Sequence, residues 1–284
     1  MAAKTVNSVL VLLIIVFSLI ASAYGFFSDN IVSENKTFQT ISGQAVALHG
    51  KGLYCNDSVS GASQARAQDI VTLIIGIPFL IISLILTNRN SLRGRLLLTG
   101  TIGYFLYTYA SYSFLISYNK FFLLYVALMS LSLFSFIINF TSAELKNLNI
   151  HFKPNFPKKY IGISTIVIGA FVCFLWLSMI ISSMGKIPAV LEHYTTLVIQ
   201  ALDLGLIVPA SILSGILLLL NKPLGYLLSP VIIIKGVTLL LAVTMMVIFQ
   251  VLSGVNVSII EKIMFPLFAL ICVVNLFLIL KSIK

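Results

Sequence analysis

Residues 192–252, EHYTTLVIQALDLGLIVPASILSGILLLLNKPLGYLLSPVIIIKGVTLLLAVTMMVIFQVL, read as two long apolar helices joined by the polar turn Asn221-Lys222-Pro223-Leu224. Each helix carries one charge, Asp203 in the first and Lys235 in the second. At a membrane helix centre either costs about 2.5–3.5 kcal/mol, so such a group marks a functional site unless it serves packing. At 1.5 Å per residue, Asp203 stands about 27 Å above the Asn221 turn and Lys235 about 16 Å above Leu224. The gap in height is about 10 Å, and the side chains lean toward opposite ends. A direct salt bridge is therefore harder to make than a link through water or a tyrosine.

The rest of the chain repeats this apolar character. Hydrophobic residues make up 59% and charged residues 9% of the 284, far below the roughly 25% charged share of soluble domains. Only a bilayer accommodates so many long apolar runs. The net charge of +10 is scattered, with no basic patch interleaved with aromatics, so nucleic acid is not a partner. The three cysteines, Cys55, Cys173 and Cys272, contain no CxxC and give neither a disulfide framework nor a metal motif.

Working outward, eight apolar runs emerge, at about 5–25, 70–87, 96–117, 121–141, 161–183, the two helices above, and 263–280. The expected fold is an all-α bundle of eight transmembrane helices in a single domain, 1–284. Lys4 and Ala21-Ser22-Ala23 also fit a signal peptide, and cleavage there would leave seven spans. Pro78 should bend the second span. Asp57 and Ser60 are expected to cap a helix starting near Gly61, on which Arg66 and Asp69, three apart, can pair. The third span is crowded with tyrosines, and those near its middle, Tyr107 and Tyr112, need partners inside the protein. No internal repeat is evident.

Basic residues set the orientation. The loops at 88–95, 142–160 and 221–224 carry eight of them (Arg89, Arg93, Arg95, Lys146, Lys153, Lys158, Lys159, Lys222), against one acid, Glu144. The opposite short loops carry Lys120, Lys186 and Lys262. The positive-inside rule places both termini in the cytoplasm and the loop 26–68 outside, in a cell membrane.

An intramembrane polar site is expected from Asp203, Lys235, Gln200, Tyr107 and Tyr112, and an outer mouth from Asp69, Arg66, Glu192 and His193. Thr196, Gln200, Asp203, Ala210 and Ser214 form a helical stripe that suits either a packed interior or a hydrated pathway. His49, His151 and His193 map to loops or span ends, unsuited to axial ligation of a buried haem, and no HExxH, Walker or GxSxG motif occurs. No cofactor or metal is therefore expected, and no nucleophile–base pair can be named for an enzyme.

The stretches GLYCNDSVSGASQARAQDIVTL (52–73), SLRGRLLLTGTIGYFLYTYASYSF (91–114) and the segment 200–236 resemble uncharacterised prokaryotic multi-pass membrane proteins. That resemblance implies a membrane bundle and carries no activity or residue role. Abundant Ile, Lys and Asn suit an AT-rich prokaryotic genome. Two functions stand side by side: a transporter of a small solute or ion, and a membrane partner or sensor whose loop 26–68 meets a ligand or protein.

Overall fold

A computed structural model describes residues 2–32, 36–40, 43–142, 148–185, 187–188 and 191–284. Glu144, Lys146 and Lys186 of the charge reading lie outside the described residues. The long helices are α1 (Ala2–Phe27), α2 (Val59–Asn88), α3 (Leu92–Phe114), α4 (Phe122–Thr141), α5 (Lys158–Ser182), α6 (Val198–Leu219), α7 (Pro223–Leu252) and α8 (Ile259–Ser282). All but α3 are long and apolar enough to cross a membrane, which makes this an all-α bundle of membrane-protein character. Helix α3 has the length, but its threonines and tyrosines lower its hydropathy, and most of it is buried among its neighbours.

Local sequence sets the helix ends. Ser58, not Asp57 or Ser60, caps α2, taking the Gly61 N–H at 2.9 Å, so the helix starts at Val59. Ser60 instead donates to Gln250 on α7. Helix α8 starts at Ile259, four residues before its expected edge, because Ser258 and Glu261 form a reciprocal capping box. Pro78 and Pro209 lack an N–H and crowd the carbonyl four residues back. Each is preceded by a widened π-turn, Thr72–Gly76 and Asp203–Ile207, in which Ile77 donates to Thr72 O and Val208 to Asp203 O.

These two π-turns belong to a larger duplication, contrary to the repeat-free sequence reading. At one constant separation, Thr72 corresponds to Asp203, Pro78 to Pro209, Ser83 to Ser214, Asn90 to Asn221, Gly94 to Gly225 and Tyr104 to Lys235. Asn90 and Asn221 both take a left-handed conformation, φ 60° and 55°. The next residue closes the turn identically, Ser91 N–H to Leu86 O and Lys222 N–H to Leu217 O. A Cβ on Gly94 would stand 2.5 Å from Leu86 Cβ, and one on Gly225 2.3 Å from Leu218 N. Only glycine lets helices α3 and α7 leave their turns so close to the helix before.

The matched positions span α2–α3 and α6–α7, and with the helix before and the helix after each pair they give two four-helix groups, α1–α4 and α5–α8. In each, the first helix meets the fourth through buried amides: Asn7, Asn139 and Ser135 interlock at 2.7–3.1 Å, and Asn275 donates to Ser164 at 2.8 Å. The copies cross at α3 and α7, where Gly100 packs on Val231, its own counterpart, and on Ile234. Because each unit has an even number of helices, the copies run parallel.

At one end of the bundle, basic side chains donate to carbonyls at helix C-termini. Lys4 reaches Asn88 O, Arg93 Ile283 O, Arg95 Ser142 O and Lys153 Lys281 O, at 2.6–3.0 Å. These bonds close the end that carries both described termini. The opposite end carries the described residues of 28–58, with β1 (Thr37–Gln39) paired antiparallel to β2 (Ala45–Ala47).

Replacing Gly225 with Val should cost about 1–3 kcal/mol by overpacking and lower the melting temperature in detergent. Gly205→Ala is the control, since a Cβ there meets nothing within 4 Å, and it should melt like the parent. Equal melting of both variants would contradict the close turn.

Candidate functional site

The two copies pack unequally. Helix α2 lies along α7, whereas its counterpart α6 barely meets α3. The space left is a cavity of about 520 Å³ bounded by α2 and α3 on one side and α5–α8 on the other. Its walls are mainly aliphatic, with Val172, Leu239 and Val243 among them. Its polar residues fall at two levels, around Asp203 and around Glu192.

At the deeper level Asp203 occupies the first position of the α6 π-turn. Its Oδ1 takes a hydrogen bond from the Tyr107 hydroxyl at 2.7 Å, and its Oδ2 takes one from Trp176 Nε1 at 2.8 Å. Lys235 lies over the face of Tyr107, with Nζ 4.0 Å from the ring centroid. The ammonium is buried and has no hydrogen-bond partner among the described residues. Asp203 and Lys235 form no ion pair within 4.0 Å, and Tyr107 joins them, through its hydroxyl to one and its π-face to the other. Gln200 lines the cavity one turn away. The corresponding positions in the first copy hold a neutral pair, Thr72 and Tyr104, whose hydroxyls lie 2.8 Å apart, with Gln68 donating to Tyr104 at 2.7 Å and to Thr108 at 2.9 Å.

The upper level is a clamp between the start of α2 and the segment before α6. Ser58 donates to Glu192, and Asp57 Oδ1 accepts from Tyr194 Oη at 3.0 Å and Ser117 N–H at 2.9 Å. Burial pushes the Asp57 carboxyl up to about 6, with the neighbouring Glu192 adding to the rise. Burial also raises Glu192. Glu192 and Tyr194 line the cavity. His193 turns aside, with Nε2 3.2 Å from Ser117 Oγ and its ring against Tyr194, and burial lowers its pKa.

Two expectations on the first copy are corrected. Arg66 and Asp69 do not pair: Arg66 reaches Asp29 at 4.0 Å and Phe26 O at 3.4 Å. Asp69 is buried and accepts from Tyr54 at 2.6 Å and Tyr112 at 3.1 Å. Two phenols reach a dry carboxylate there, whereas a guanidinium would have to give up water, so Asp69 belongs to the core rather than to a mouth. Tyr112 touches the cavity, but its hydroxyl serves Asp69 and Ala65 O and not Asp203.

Trp176, Tyr194 and Asp57 are functional candidates that sequence reasoning passed over. Trp176 carried one usable signal, since a lone mid-span indole needs an acceptor and Asp203 is one of few available. Among the described residues, no group of three His, Cys, Asp or Glu side chains could hold a metal. The chain is thus an all-α bundle of membrane character with a polar-floored cavity between two repeated halves. Comparisons with protein-family models, curated proteins and solved structures find no match for it.

The clamp should depend on pH. An acid whose folded pKa is raised stabilises the fold only while protonated, so its contribution is lost as pH climbs from about 4 to about 6. The loss for Asp57 is on the order of 3 kcal/mol. The melting temperature should fall between pH 4 and pH 6, and fall less in Asp57→Asn. Equal falls in parent and variant would remove Asp57 as the cause.

Proposed function

We propose that the protein is a membrane transporter of a small solute, with Asp203, Tyr107 and Lys235 as the binding floor. The observation that carries this reading is the single cavity that contains both Glu192 and the Asp203–Lys235 floor. A costly pair of intramembrane charges beside a broken helix, at the junction of two repeats, is the arrangement that membrane transporters use to hold solutes. Parallel repeats are among the known transporter designs. The duplication therefore supports this reading, which a repeat-free chain would weaken.

In this reading α3 is a span too, held in the bilayer by its neighbours, which gives eight spans in a cell membrane. The basic end faces the cytoplasm, and the cavity opens toward the side of loop 26–68. The π-turns of α2 and α6 are the positions where these helices can flex. A sensor that binds the same solute without moving it is the competing reading, favoured by the basic closure of the cytoplasmic end.

Cysteine accessibility tests both orientation and transport. Because Cys272 also lines the cavity, the test uses a Cys272→Ser background: an impermeant thiol reagent on intact cells should label Cys55 and an introduced Ser111→Cys, and spare Cys173. Ser214→Cys, fully buried one turn beyond the cavity-lining Ser211, should stay protected from outside and react from the cytoplasmic side in inverted vesicles. Labelling of Cys55 only after lysis would reverse the orientation. A Ser214→Cys that reacts from neither side would favour the sensor.

A further inference from the structure

The two charges at the cavity floor have unused bonding capacity of opposite sign. Lys235 is 5% exposed and its ammonium has no hydrogen-bond partner, although an ammonium has three donors to place. Asp203 has one donor on each oxygen, which leaves further lone pairs open. Neither completes the other: Asp203 is held at the hydroxyl of Tyr107 and Lys235 over its ring face, and the two form no ion pair within 4.0 Å. A buried charge left in this condition is costly and is relieved by any ligand that supplies the missing partner.

We infer that the cavity takes a zwitterion with an apolar body, of the class of the apolar α-amino acids, with its ammonium on Asp203 and its carboxylate on Lys235. This rests on the cavity reading above and names the substrate class. An α-amino acid carries both charges on one carbon, so it can bridge from the hydroxyl edge of Tyr107 to its face with a charge-assisted bond at each end. The flexible four-carbon stem of Lys235 lets its ammonium leave the ring face to meet a carboxylate. Trp176 and Tyr107 present aromatic surface beside the ammonium position. The aliphatic walls then receive the side chain.

The charge balance selects against simpler ions. A lone anion would meet Asp203 and the acids Glu192 and Glu261 that also line the cavity. A lone cation would pair with Asp203 and leave Lys235 as unsatisfied as before. A net-neutral zwitterion satisfies both and adds no charge to the site.

Trp176 is the only tryptophan in the chain and touches Asp203, so its fluorescence reads the floor directly. Purified protein in nanodiscs should be titrated with L-leucine, with 3-methylbutylamine (no carboxylate) and with 4-methylpentanoate (no ammonium). L-leucine should give a saturable change, and each analogue should bind at least tenfold more weakly. Lys235→Met should weaken L-leucine at least tenfold while the amine binds no more weakly than to the parent, since Asp203 is then left without its neighbouring cation. Equal binding of L-leucine and either analogue would overturn the inference, as would no saturation with L-leucine. If that failure comes with a reactive Ser111→Cys, the substrate class is wrong and the cavity reading stands. An unreactive Ser111→Cys removes both.

Discussion

Tyr107 does two jobs that oppose each other, and the second half of the bundle depends on their balance. Its hydroxyl neutralises part of Asp203, while its ring gives the Lys235 ammonium a soft contact in place of water. Two charges that closed on each other directly would form a tight buried pair and fill the space between α3, α6 and α7. Held apart by a ring, they keep that space polar and open. The cost of two incompletely paired ions is offset by the hydrogen bonds to Asp203, by the cation–π contact and by their mutual attraction across low-dielectric surroundings.

The duplication explains where this site can exist. Both copies break their second helix at the same place and cross at equivalent points on α3 and α7. The first copy fills its break with the neutral Thr72–Tyr104 contact, and α2 packs down on α7. The second puts Asp203 and Lys235 at those positions, and α6 stands off from α3. Substituting charges for hydroxyls at matched positions thus coincides with replacing a packed interface by a cavity. The amide contacts of α1 with α4, and of α5 with α8, brace each copy from behind.

Much of this was legible in the sequence for simple reasons. Long apolar runs and sparse charge pointed to an all-α bundle of membrane character, and a charge inside an apolar run singled out Asp203 and Lys235. Tyr107 was visible as a mid-span hydroxyl in need of a partner. The duplication was not, because it is written in residues that shape the backbone, Pro78 and Pro209, Asn90 and Asn221, Gly94 and Gly225, while the side chains between them diverge. Arg66 and Asp69 misled for a related reason: spacing along a helix says who can meet, and burial decides who does. Tyr54 reaches Asp69 from a loop that no periodicity connects to it. The clamp of Asp57, Tyr194 and Ser117 likewise joins three segments that are distant in the chain.

Asp203 and Lys235 act as one unit through Tyr107, and a double-mutant comparison measures that coupling. Folded protein recovered from membranes, measured by fluorescence-detected size exclusion, should be compared for Asp203→Asn, Lys235→Met and the two combined. Removing one charge leaves the other uncompensated, whereas removing both leaves none. The combined variant should therefore be recovered better than either single one. If its loss equals the sum of the two single losses, the charges are independent and the account of the site fails.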